Sequence, residues 1–127
     1  MVVVGFFFSI NFLLAQNNSG IVEKISTALN SKTPAASLAI NFDKTIEATI
    51  LDKQANYSKT QAEAVLNAFF QQHSPTVYKI KHQGNSPDGS TFVIGNLITT
   101  NGNFNVICYA KQKNGVFLIE EIRFEKQ

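Results

Sequence analysis

Acid–base chemistry in this chain would fall to Tyr78, His82, Glu121 and Arg123. A phenol, an imidazole, a carboxylate and a guanidinium can take a proton, return it and hold developing charge, provided that base and acid meet in one cavity. The strand register places all four on one sheet face but spreads them along it. Tyr78 falls in a row with Leu97, Val106 and Arg123, and strands about 4.8 Å apart separate the ends of that row by roughly 14 Å. His82 and Glu121 are as far apart plus a step along the strands, too far for a hydrogen-bonded dyad unless curvature folds the edges together. Asp43 and Glu47 are further candidate bases near a cavity mouth, although helix-end solvation explains them equally well.

Other chemistries find less support. Cys108 sits between Ile107 and Tyr109 on a strand, with Gly95 and Glu121 as its expected neighbours. It reads as a buried thiol without a base beside it. Two histidines on different elements, with no carboxylate at ligand spacing, make no metal site. No glycine-rich loop opens a helix to hold phosphate, and no cofactor is expected.

The elements that position these groups are organised around Thr91 to Phe124, three apolar strands joined at Asn101-Gly102 and Asn114-Gly115. Both dipeptides favour the positive φ of tight hairpins. Two-residue loops set Thr100 opposite Asn103 and Lys113 opposite Val116, and side chains alternate from there. The inner face then carries Val93, Gly95, Leu97 and Thr99, Phe104, Val106, Cys108 and Ala110, and Phe117, Ile119, Glu121 and Arg123. Small residues at Gly95, Cys108 and Ala110 let a helix approach that face. Thr76 to Gly84 adds a strand through the turn Ser86-Pro87-Asp88-Gly89. An even-numbered loop there puts Tyr78, Ile80 and His82 inside and Lys79, Lys81 and Gln83 outside.

On the outer face, Phe92, Ile94, Ile98, Ile107, Tyr109, Leu118, Ile122 and Phe124 form one apolar patch, broken by Asn96, Asn105, Lys111 and Glu120. A soluble monomer seldom leaves more than a few hundred Å² of contiguous apolar surface open. A homodimer packed sheet to sheet is therefore expected.

Upstream, Val2 to Leu14 is an uncharged apolar run, too short at about 13 residues to span a bilayer that needs about 20. With Leu13-Leu14-Ala15 before Gln16 it reads as a signal peptide over residues 1–15, leaving one domain over 16–127 that resides in the periplasm or is secreted. No membrane span is expected after cleavage. A first helix runs from Gly20 to Asn30, capped by Asn18 or Ser19, with Ile21, Val22, Ile25, Ala28 and Leu29 on one face. Thr33 caps a second, short helix with Pro34 in its first position and Leu38, Ile40 and Phe42 as apolar surface. Ile46 to Leu51 is a strand, Asp52-Lys53-Gln54 a turn and Ala55 to Tyr57 a return strand. Ser58 and Gln61 form a capping box for a third helix, whose buried stripe is Ala62, Val65, Leu66, Phe69 and Phe70. His73 at its C-terminal end has a sufficient structural role in the helix dipole.

With 127 residues, 44% hydrophobic and net charge +2, the chain bounds a single domain with an ordinary core. Lysines and arginines are scattered apart from Lys79 with Lys81 and Lys111 with Lys113, so no nucleic-acid stripe is present. A strand of about ten residues outreaches a helix of about 15, roughly 33 Å against 22 Å. A twisted sheet wrapped about the main helix leaves room for a pocket in the overhang.

The stretch Tyr57-Ser58-Lys59-Thr60-Gln61-Ala62-Glu63, with Phe69-Phe70, His82-Gln83-Gly84, Ile94-Gly95 and Phe117-Leu118-Ile119 through Arg123-Phe124-Glu125, resembles the exported bacterial proteins of domain of unknown function 4783. Order and spacing match over nearly the whole mature chain. That family is similar to the nuclear transport factor 2-like, or cystatin-like, superfamily, which implies an α+β cone of three helices against a curved antiparallel sheet. The resemblance implies no activity. The expected function is a non-catalytic module binding a small amphipathic ligand or a protein, with Tyr78, His82, Glu121 and Arg123 as candidate ligand contacts. A small lyase or isomerase of the ketosteroid isomerase kind, using His82 or Asp43, is the alternative, and a purely structural dimer is a third.

Overall fold

The structure, a computed structural model, describes residues 20–127. The expected signal peptide and the caps Asn18 and Ser19 lie outside the described residues. Helix α1 is described over residues 20–29 and buries Ile21, Val22, Ile25, Ala28 and Leu29, the stripe that its spacing demands. Helix α2 spans Pro34–Ala39 with Pro34 in its first turn. Thr33 stands at its N-cap but makes no side-chain cap; its hydroxyl meets Ser37 Oγ instead, at 3.1 Å. Helix α3 spans Lys59–Gln72, and its capping box is present: Gln61 N–H donates to Ser58 Oγ at 3.2 Å and Ser58 N–H to Gln61 Oε1 at 3.0 Å.

Six strands follow the order β2-β1-β6-β5-β4-β3 in one sheet: β1 (Phe42–Ile50), β2 (Lys53–Ser58), β3 (Pro75–Asn85), β4 (Thr91–Thr99), β5 (Gly102–Lys113) and β6 (Val116–Lys126). After the β1–β2 hairpin, α3 carries the chain to the far edge of the sheet, and the meander β3 to β6 returns to lie against β1. That return makes β1–β6 the parallel pair in an otherwise antiparallel sheet. Strand β1 begins at Phe42, earlier than the expected Ile46, because Phe42 and Ile46 both enter the core. Phe42 is thus a strand residue, and Ile40 at the end of α2 is 72% exposed rather than apolar packing surface. The β1–β2 turn falls on Leu51 and Asp52, with Leu51 at φ 58, and β2 already starts at Lys53.

Both hairpins of the meander occur. Asn114 and Gly115 take φ 53 and φ 82, and Lys113 pairs with Val116 as their two-residue loop requires. At the other hairpin Thr100 and Asn101 make the turn and Gly102 follows at φ 109, so Thr99 rather than Thr100 begins the pairing, opposite Gly102. Partners on β4 and β5 therefore slide by two residues. An even slide keeps every side chain on its face, and Val93, Leu97, Phe104, Val106, Cys108 and Ala110 are all buried.

Two β-bulges change the faces of the candidate residues. On β6 the register moves from Ala110 opposite Ile119 to Tyr109 opposite Glu121, leaving Glu120 as the extra residue. Beyond it each side chain is turned to the other side. Ile122 and Phe124 are consequently fully buried in the core, whereas Glu121 and Arg123 lie outside. On β3 the register moves from Ile80 opposite Gly95 to His82 opposite Ile94, with Lys81 extra. The β3–β4 loop has an odd number of residues, since Asn85 pairs with Thr91. Loop parity and bulge compensate for Tyr78 and Ile80, which stay inside, but not for His82, which turns out.

Candidate functional site

The inner face is a packed core. Phe69 meets Phe104 and Phe124 at ring-centroid distances of 5.2 and 5.0 Å, and Phe70 meets Phe124 at 5.7 Å. These rings lie where α3 crosses the sheet, in the space that an amphipathic ligand would need.

Of the four residues expected there, Tyr78 alone is inside. It is 3% exposed, its hydroxyl donates to Val106 O at 3.2 Å, and burial pushes its phenol far above the ordinary range. Such a group holds its proton and satisfies a buried acceptor. His82 stands on the outer face beside Phe92, with ring centroids 5.5 Å apart. Glu121 and Arg123 form an outer-face ion pair at 2.7 Å. The structure therefore brings Glu121 and Arg123 together but separates both of them, and His82, from Tyr78, because the two bulges turn all three the other way.

Asp43 and Glu47 border a crevice of about 440 Å³ at the β1 end of the sheet, with Lys113 and Glu120. The Lys113 ammonium beside Asp43 holds its carboxyl below the usual aspartate range, which weakens it as a base. Cys108 is buried and its thiol is pushed up to about 12, the state of an inert core residue.

Six of the eight patch residues keep the outer face: Phe92, Ile94, Ile107, Tyr109 and Leu118 are half-buried and Ile98 is exposed. None of the six belongs to the core or to the partly buried residues packed against it. Ile122 and Phe124, expected in the patch, are core residues instead. The patch is consequently narrower than the alternation implied and is bordered on β6 by Glu121 and Arg123. A signal for this was present: apolar residues at Ile119, Ile122 and Phe124 change phase across Glu120-Glu121.

Sequence reasoning also missed Asn30. At the end of α1 its side-chain amide pairs with the free edge of β3, accepting from Tyr78 N–H at 2.9 Å and donating to Tyr78 O at 3.1 Å. An asparagine thus mimics a neighbouring strand at one residue and blunts that edge.

Three helices against a bulged six-stranded sheet define the nuclear transport factor 2-like, cystatin-like class. Solved structures share the fold: an NTF-2 like protein of unknown function from Silicibacter pomeroyi (11% identity, TM-score 0.65, covering 92% of this chain and 98% of that one), and a cystatin-like domain of unknown function from Nostoc punctiforme (9% identity, TM-score 0.69, 88% and 78%). More similar is a DUF4783 family protein from Bacteroides uniformis, 31% identical with a TM-score of 0.76 over 83% of this chain and 95% of that one. The family model described as domain of unknown function (DUF4783) matches residues 22–125, and the chain belongs to that family. No curated protein matches it.

Proposed function

We propose that the protein is an exported, non-catalytic interaction module whose working surface is the outer face of its sheet. One observation carries this reading: the candidate acid–base groups do not converge, while an apolar strip through Phe92, Ile94, Ile107 and Tyr109 stands on the face opposite the helices. A strip of that kind on a sheet marks an interaction surface more often than idle surface. Export is supported by the uncharged run Val2 to Leu14 and the small residue Ala15 before Gln16.

Native mass spectrometry of protein recovered from its own host tests both parts. The expected spectrum shows loss of about the first 15 residues, no retained small molecule, and an assembly larger than one chain that Ile107→Glu dissolves. A small molecule held equally by wild type and Ile107→Glu overturns the interaction reading, and full-length protein in the cytoplasm overturns export.

A further inference from the structure

Asparagine followed by glycine marks both hairpins of the meander, and the dipeptide that suits such a turn also carries a latent reaction. Glycine has no side chain to shield its backbone nitrogen, so that nitrogen can reach the side-chain amide carbon of the asparagine before it. Asn101 and Asn114 are both exposed. They differ in what holds the turn.

Asn101 is stitched to the end of α3. His73 Nδ1 donates to Asn101 O at 2.9 Å, Thr100 N–H donates to Ser74 O at 3.0 Å, and the Asn101 side-chain amide donates to Gln72 O at 3.5 Å. Within the turn, Asn101 N–H donates to Thr99 Oγ1 at 3.1 Å, and that hydroxyl donates to Gly102 O at 2.6 Å. Gly102 itself belongs to β5 and pairs with Thr99. Asn114 and Gly115 stand outside both strands that they join, and among the described residues no turn or loop hydrogen bond ties either of them to another element. A β-carbon on Gly115 would meet nothing within 4 Å, whereas one on Gly102 would lie 3.6 Å from the Phe104 ring.

We propose that Asn114 is a site of spontaneous covalent modification, converted to aspartate and isoaspartate, and that Asn101, the same dipeptide in the same sheet, is spared. The Gly115 nitrogen attacks Asn114 Cγ. The new C–N bond closes a succinimide ring, the Cγ–Nδ2 bond breaks, and the proton lost by the glycine nitrogen leaves with Nδ2 as ammonia. Water then adds across one of the ring C–N bonds. Opening at Cγ gives aspartate, and opening at the Asn114 carbonyl carbon gives isoaspartate, whose main chain runs through the former side chain. Water is consumed, ammonia is released, and nothing is oxidised or reduced. Ring closure needs the turn to open, and a segment opens as often as the bonds that hold it allow. The β5–β6 turn has only its own ladder to break, whereas the β4–β5 turn must also leave α3.

The product alters a charged corner of the fold. Lys113, next to Asn114, meets Asp43 and Glu120. Aspartate at 114 sets a further carboxylate beside that lysine. Isoaspartate also inserts a backbone atom into a two-residue turn whose geometry is fixed by the strands it joins.

The test is peptide mapping by mass spectrometry of the folded mature protein, incubated at mildly alkaline pH and sampled over time, beside the same chain kept unfolded in urea. Unfolded, the Asn101-Gly102 and Asn114-Gly115 pairs should convert at similar rates. Folded, conversion at Asn114 should outpace that at Asn101 by about tenfold or more, the effect of the added hydrogen bonds on local opening. Asn114→Asp supplies the aspartate product for comparison, and the isoaspartate form, separated by chromatography, should melt below it. Asn101 converting as fast as Asn114 in the folded protein overturns the proposal, as does an Asn114 that stays intact while the unfolded chain converts at both positions. An isoaspartate form that melts together with Asn114→Asp overturns the consequence drawn for the turn.

Discussion

The ring of Tyr78 lies so close against Gly95 that a β-carbon on Gly95 would stand 2.5 Å from the ring Cζ. Glycine at this inner position lets the ring lie flat on the sheet, from where its hydroxyl reaches Val106 O. The same contact fills the middle of the face with protein and makes Tyr78 a structural group. Gly95→Ala should destabilise the fold by about 1–3 kcal/mol or more, the usual cost of forcing an extra methyl into a packed core. Lys79 O would stand 2.6 Å from the same β-carbon, so urea unfolding that shows an unchanged midpoint would mean that both the ring and strand β3 can shift.

Asn30 should be worth more than an ordinary helix-end residue, because its amide satisfies both backbone groups of Tyr78 at the sheet edge. Asn30→Ala removes both bonds and should cost about 1–2 kcal/mol. Asn30→Asp keeps only the bond from Tyr78 N–H, since a carboxylate cannot donate to Tyr78 O. Amide hydrogen exchange at Tyr78 separates the two variants: protection is lost in the first and retained in part in the second.

Much of this fold is legible in the amino-acid order, and the side chains it places on the wrong face trace chiefly to inserted residues. Helix α3 follows from the Ser58–Gln61 box and its apolar stripe, and the meander follows from Asn101-Gly102 and Asn114-Gly115, whose turn chemistry is local. Bulges at Lys81 and Glu120 are not local in that sense, since one inserted residue leaves composition unchanged and flips everything beyond it. Strand β6 carried a trace in the phase change from Ile119 to Ile122. Strand β3 carried none, because only polar residues and glycine follow Ile80 before the turn. His82, Glu121 and Arg123 therefore stand on the face opposite to the one that strict alternation implies, as do Ile122 and Phe124. The parallel contact of β1 with β6 depends on where α3 deposits the chain, which no strand pattern encodes.

The Asp43–Lys113 pair predicts a defined pH dependence. Lys113 lowers the folded-state pKa of Asp43, so the stabilisation that Asp43 contributes is present above the ordinary aspartate value of about 3.9 and is lost as pH falls through the lower folded value. Lys113 is shifted upward by Asp43 and Glu120, so its share persists to high pH and is lost only as pH rises through its raised value. Asp43→Asn should therefore lower the thermal midpoint at pH 7 and make progressively less difference on acidification below pH 4. An equal difference at pH 7 and at pH 2 would show that the aspartate acts through something other than its charge.

The most direct test of the outer face as the working surface is sedimentation velocity of the mature protein beside its Ile107→Glu variant, at matched concentrations up to high micromolar. Ile107 sits at the centre of the apolar strip, and a glutamate there would bring a charge into any sheet-to-sheet contact beside Arg123, which Glu121 already engages, and burying that charge should cost several kcal/mol. The account predicts a wild type that sediments as a dimer and a folded variant that sediments as a monomer. Two proteins that sediment alike, either both as monomers or both as dimers, would contradict it.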